Sequence, residues 1–120
     1  MLLTISTMHE LSIAQSLLAI VQDESKKHEV TRVTRVHVRI GTLSAIVPEA
    51  LSFSFEVISE RTVAEGAALD IEVVPARGRC DDCNIDFKID TSLFLCPQCG
   101  GIASEIVSGK ELEITHIEAE

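Results

Sequence analysis

Two short stretches carry side chains able to hold a metal. The first, M-H-E-L-S-I-A-Q-S-L-L from Met8 to Leu18, sets an imidazole and a carboxylate side by side just before an apolar run. The second is a pair of thiol knuckles, C-D-D-C (Cys80, Cys83) and C-P-Q-C (Cys96, Cys99), with twelve residues between them. Each C-x-x-C loop can offer two thiolates to one ion, and two loops complete a tetrahedron at about 2.3 Å per Zn–S bond. Asn84 and Gly100 follow the knuckles directly, and both tolerate the left-handed backbone that a tight turn needs. A closed four-thiolate site leaves no open coordination position, so it points to structural Zn(II) rather than zinc catalysis. A redox dithiol is the competing chemistry, but no thioredoxin-like βαβ pattern surrounds the pairs.

The lobe from Ala76 to Lys110 has no continuous apolar face and is too small to hold a core unaided. Structural zinc supplies on the order of 10–16 kcal/mol in zinc-finger peptides near neutral pH, so metal decides whether such a segment folds.

His9 and Glu10 admit two readings. Thr7-x-x-Glu10 and Ser12-x-x-Gln15 both fit a capping box, which makes the pair ordinary helix-start residues. In a chain starting at Met8, the terminal amine, the His9 amide nitrogen and the imidazole could close adjacent chelate rings. The next amide or the Glu10 carboxylate would be a fourth donor. Such a planar nitrogen array suits Ni(II) or Cu(II), not tetrahedral zinc. The other histidines look structural. His28 sits at a helix end, His37 lies between Arg35 and Arg39 where an added cation is poorly placed, and His116 reads as a partly buried sheet residue.

These residues need elements to position them. Ile13, Leu17 and Ile20, with Ala14, Leu18 and Val21 beside them, form an apolar stripe at helical spacing from Leu11 to about His28. Val36, Val38 and Ile40 alternate with Arg35, His37 and Arg39, a half-buried strand ended by Gly41. Pro48 fits the first turn of a second helix with Leu51, Phe55 and Ile58 inward. Leu69, Ile71 and Val73 form a second strand stopped by Pro75, and the final ten residues a third, with Leu112 and Ile114 on its apolar face. The expected fold is α+β: two helices on one face of a small mixed three-stranded sheet, with an inserted zinc-ribbon lobe. Residues 1–75 plus 111–120 form the α/β domain, and 76–110 the lobe.

Composition narrows the partners. Nineteen acids against ten bases give a net charge of -9 over 120 residues. Such a surface repels nucleic-acid backbones and anionic membranes. No apolar run approaches the ~20 residues of a membrane span, and the opening MLLTIST lacks the basic start of a signal peptide. A cytoplasmic setting follows, where four cysteines serve as metal ligands sooner than as disulfides.

Taken together, the chain resembles the hydrogenase maturation nickel metallochaperones, the HypA/HybF family. The resemblance runs from Met8 to the C-terminus. It is carried by M-H-E-L-S-I-A-Q-S-L-L, by G-T-L-S-A-I-V-P-E-A-L-S-F-S-F-E from Gly41, by R-G-R-C-D-D-C from Arg77, by C-P-Q-C-G, and by G-K-E-L-E-I from Gly109. It implies a nickel-binding domain in which Met8, His9 and Glu10 hold Ni(II) as cargo, and a lobe in which Cys80, Cys83, Cys96 and Cys99 hold structural Zn(II). It also implies delivery, with a nickel-insertion GTPase, to the large subunit of nickel–iron hydrogenase, and in some organisms to urease maturation proteins. No catalysis by the chain itself is implied.

Two features depart from the family pattern. Seven residues precede Met8, and with them present the terminal amine is replaced by an amide that must lose a proton to bind nickel. The lobe also contains no histidine. The alternatives are a zinc-ribbon module for nucleic acid, disfavoured by four bases against five acids in the lobe, and a zinc-held protein–protein adaptor without nickel transfer. A homodimer is left open.

Overall fold

Strand β1 (Val33–Gly41) is the central strand of its sheet, because Val33, Val36, Val38 and Ile40 are buried while the charged residues between them face outward. The computed structural model describes residues 5–89 and 94–120, with side chains in the first helix from Glu10 onward. The remaining elements are α1 (Ile5–Lys27), α2 (Pro48–Ile58), β2 (Ala68–Val74), β3 (Arg77–Cys80), β4 (Ile85–Lys88), β5 (Glu105–Ser108) and β6 (Leu112–Ala119). They build two three-stranded sheets, ordered β2-β1-β6 and β4-β3-β5. Two compact units result. One holds the described residues up to Val38 with Ala45–Glu72 and Glu113–Glu120; the other holds Arg39–Ser44 and Val73–Leu112.

In the first unit, α1 packs against α2. The buried line of α1 is Ala14, Leu17, Leu18 and Val21, whereas Ile20 is half exposed. The stripe expected from Ile13, Leu17 and Ile20 is therefore rotated toward its flank. Glu10 and Ser25 extend the same face in both directions, at i−4 from Ala14 and i+4 from Val21, and both are buried. The helix also begins earlier than expected. No Pro or Gly interrupts I-S-T-M-H-E, so α1 runs through Met8, His9 and Glu10 instead of starting after them. Pro48 occupies the first turn of α2, as the sequence indicates, with Leu51, Ser54 and Phe55 inward. Strand β6 runs antiparallel to β1, tied by Gly41 N–H to Glu111 O at one end and Glu120 N–H to Arg32 O at the other. His116 on β6 is exposed rather than partly buried, because its ring stacks on His37 on the polar side of β1.

In the second unit, β3 pairs antiparallel with β4 from Arg77↔Lys88 to Cys80↔Ile85, and with β5 through a bulge at Arg77/Gly78. These four-residue strands are too short for an alternation to stand out in sequence. Gly41 and Gly109 meet closely here. A Cβ on Gly41 would lie 2.0 Å from the Gly109 carbonyl, and one on Gly109 (φ +115°) would lie 2.7 Å from Ala76 Cα. Leu43 N–H donates to Gly109 O across the contact at 2.8 Å. The Glu111 carboxylate accepts from Gly109 N–H at 2.8 Å, and donation from the Glu111 and Gly109 N–H groups holds its carboxyl below the usual range. Gly41→Ala has no room to relax against backbone and is expected to cost about 3 kcal/mol or more, read as a fall in Tm. An unchanged Tm would mean that the two strands part freely at this point.

Candidate metal centres

The first knuckle forms where β3 ends and β4 begins. Cys80 closes β3, residues 81–84 turn, and Asn84 takes φ 55° before Ile85 starts the return strand. The second knuckle is a tight turn with Gly100 at φ 75°, where Cys96 N–H donates to Gly101 O at 2.7 Å and Gly100 N–H to Cys96 O at 2.9 Å. Both left-handed residues are the ones the sequence singled out.

The knuckles bring all four thiols together. The Cys80, Cys83, Cys96 and Cys99 sulfurs lie within 4.8 Å of one another, with Cys80 and Cys99 Sγ 3.7 Å apart. Gln98 N–H points at Cys96 Sγ (3.3 Å) and Gly101 N–H at Cys99 Sγ (3.4 Å), as donors to thiolate would. Four converging sulfurs cannot share charge without a cation. The Cys99 thiol, aided by burial, pushes Cys83 up to about 12. Burial also disfavours the Cys96 thiolate, but donation from the Cys99 and Gln98 N–H groups outweighs it and brings Cys96 down to about 7. The donor set fits one tetrahedral thiolate-loving ion such as zinc, which would neutralise this strain without further protein ligands.

Two residues that sequence reasoning passed over hold the first knuckle rigid. The Arg79 guanidinium donates to Asp86 Oδ1 (3.0 Å), Asp81 Oδ1 (3.3 Å) and Asn84 Oδ1. Ser104 N–H donates to Arg79 O (2.7 Å) while its hydroxyl accepts from Asp81 N–H (3.0 Å), stitching β3 to the segment before β5. The run R-C-D-D-C-N-I-D, with acids two and seven residues after Arg79, was the available hint.

At the other candidate centre, the side chains of Met8 and His9 lie outside the described residues; Glu10 does not. Its side chain is fully buried, and Oε2 accepts from Val47 N–H at 2.8 Å. Val47 is the N-cap of α2 and has no side chain to cap with, so the carboxylate of α1 serves the N-terminus of α2. Glu10 therefore does not act as the reciprocal half of a Thr7 capping box. Its Oε1 is buried with no hydrogen-bond partner among the described residues. A buried carboxylate with one oxygen engaged and one open is a donor poised for a cation.

The chain as a whole is similar to known proteins. A family model described as hydrogenase/urease nickel incorporation, metallochaperone, HypA matches residues 8–119. The chain belongs to the HypA family. The hydrogenase maturation factor HypA of Roseiflexus sp. is 47% identical over 114 residues, covering 94% of this chain and 93% of that protein. Its counterpart in Solidesulfovibrio magneticus is 49% identical over 117 residues, covering 94% and 100%. The solution structure of the Ni metallochaperone HypA from Helicobacter pylori superposes with a TM-score of 0.65 at 28% identity, covering 92% of this chain and 96% of that one. Family membership makes the chain a nickel metallochaperone of hydrogenase maturation, a metal-handling role rather than catalysis. Among the described residues, no helix is long and apolar enough to cross a membrane.

Proposed function

We propose that this chain carries Ni(II) on Met8, His9 and Glu10 and passes it, with a nickel-insertion GTPase, to the large subunit of nickel–iron hydrogenase in the cytoplasm. Residues 1–75 plus 111–120 act as the nickel-handling domain. Residues 76–110 act as a lobe whose Cys80, Cys83, Cys96 and Cys99 hold one structural Zn(II). Urease maturation proteins are a second class of recipient.

The observation that carries the nickel assignment is the Glu10 carboxylate, buried at the N-terminus of α2 with Oε1 lacking a partner among the described residues. It sets a fixed oxygen donor on the residue that follows His9. Helix geometry supplies the rest. In a chain beginning at Met8, the N–H groups of His9 and Glu10 belong to the first turn and have no intrahelical acceptor, which leaves them free to give up their protons to solvent and bind Ni(II) through nitrogen. With α1 starting at Ile5, His9 N–H is instead spent on the Ile5 carbonyl. Zinc on four thiolates fits a reducing compartment, and the wholly sulfur donor set keeps resident zinc apart from cargo nickel, which suits nitrogen and oxygen donors.

Complementation tests the reading. A host lacking its own nickel metallochaperone should recover hydrogenase activity with the form starting at Met8 and lose it with His9→Ala in that form, while zinc content stays at one per chain. Full maturation by His9→Ala would favour the zinc-held adaptor.

A further inference from the structure

The polar side of the β2-β1-β6 sheet holds another set of metal-type donors. Strand order places Asp70 of β2 on one side of His37, and His116 and Glu118 of β6 on the other. His37 Nε2 lies 2.6 Å from Glu118 Oε2, and His37 Nδ1 lies 3.3 Å from Asp70 Oδ2. The His116 ring stacks on His37 with centroids 3.7 Å apart and planes inclined by 18°. One donor atom from each of His37, His116 and Glu118 falls within 4.8 Å of the other two. Thr115 Oγ1 donates to His37 O at 3.3 Å and lies 3.2 Å from His116 Nδ1, which fixes the neighbouring strand beside the ring pair. A cavity of about 220 Å³ opens at this point, lined by His37, Val38, Asp70, Glu72, Thr115 and His116.

By sequence alone, Arg35 and Arg39 make His37 a poor neighbour for a cation. The fold changes that balance. Arg35 sits 3.7 Å from Asp70 and its charge also acts on Glu118, while the charge of Arg39 acts on Glu111, so both guanidinium groups are offset by carboxylates. The His37 ring is left between Asp70 and Glu118, with Glu72 lining the adjoining cavity. Each imidazole lone pair lies in its own ring plane, so one ion shared by His37 and His116 turns the two side chains out of their stack while the strands stay in place. Two imidazoles with carboxylate oxygens suit Ni(II), Zn(II) or Cu(II) and not the all-oxygen cations.

We propose that His37, His116 and Glu118, with Asp70 alongside, form a solvent-open binding site for one divalent transition-metal ion, distinct from the four cysteines and from Met8-His9-Glu10. The site lies on three adjacent strands rather than on a loop, so its donors are held by the sheet itself. Its existence does not depend on the cargo site at His9.

Nickel titration of the full chain carrying His9→Ala and one equivalent of zinc tests this, because that variant removes the proposed cargo site. Calorimetry should report one Ni(II) bound, with paramagnetic broadening of amide signals centred on residues 37, 70 and 116–118. Adding His116→Gln or Glu118→Gln should weaken binding by about tenfold or more without altering circular dichroism. Glu118 is exposed on an edge strand, so Glu118→Gln carries the test if His116→Gln disturbs the sheet. Absence of nickel binding to the His9→Ala chain, broadening located elsewhere, or affinity unchanged by both added substitutions would overturn the site.

Discussion

Chelating the zinc, or replacing Cys96 by Ser, is expected to abolish the fixed structure of β3, β4 and β5 while α1, α2 and β1 keep their amide protection. The reason lies in what the second unit buries. Among the described residues, its main buried cluster is Ala76, Cys80, Phe87, Ile89 and Cys96, two of which are themselves metal ligands. Without an ion these thiols have only each other, and the other three buried residues of the cluster, with half-buried Leu43, Ile85, Phe94, Ala103 and Ile106 around them, are too few to hold three short strands. In the first unit, Ala14, Leu17, Val21, Val36, Leu51 and Phe55 pack without any metal. Amide exchange should therefore show Gly78, Arg79 and Cys80 exchanging at unfolded rates after chelation, with Val36 and Val38 still slow. Collapse of both sets together would make the chain one folding unit.

The pH dependence of zinc binding has a definite sign. Sharing with Cys99, then burial, keeps the metal-free Cys83 thiol protonated up to about 12, and Cys80 is likewise raised, burial and its thiol neighbours outweighing donation from the Cys83 N–H. Binding at pH 7 must displace both protons, so zinc affinity falls on acidification. Calorimetry in buffers of different ionisation enthalpy should report at least two protons released per zinc. Fewer would mean that the thiols are already ionised before the metal arrives.

The second large effect is expected at Glu10, where two substitutions should separate structure from cargo. Glu10→Ala leaves the Val47 N–H without its acceptor and opens a cavity at the α1–α2 contact. The unmet donor alone costs about 1–3 kcal/mol, and the cavity adds to it, so Tm should drop by several degrees. Glu10→Gln keeps an oxygen for Val47 and nearly the same volume, so stability should change by about 1 kcal/mol or less. The negative charge is nevertheless gone, and nickel affinity should fall about tenfold or more. Equal nickel binding with and without Glu10→Gln in the form starting at Met8 would confine Glu10 to holding the helices together.

Much of this fold is legible in the sequence because its boundaries are set locally. Alternation marks β1, Pro48 starts α2, Pro75 follows the end of β2, and Cys spacing with Asn84 and Gly100 marks the knuckles. What escapes is set by partners distant in sequence. The Thr7-to-Glu10 pattern reads as a helix cap, yet the carboxylate goes to Val47, 37 residues away. The wide apolar stripe on α1 leaves its centre undetermined until α2 and the sheet choose Ala14 and Val21 over Ile13 and Ile20. His37 and His116 are 79 positions apart, and only the register of β6 against β1 stacks them. The Arg79 clamp and the second sheet are built from strands of four residues, too short for periodicity to declare them.

The most direct measurement is a calorimetric Ni(II) titration of the zinc-loaded protein near neutral pH. It compares the 120-residue chain with one starting at Met8, each with and without His9→Ala, and a Glu118→Gln background removes the sheet site. The expected result is tight binding at one site in the form starting at Met8, lost with His9→Ala, and much weaker binding when the His9 amide is tied into a longer helix. Nickel binding in both forms that is indifferent to His9→Ala would contradict the assignment of Met8, His9 and Glu10 as the cargo site.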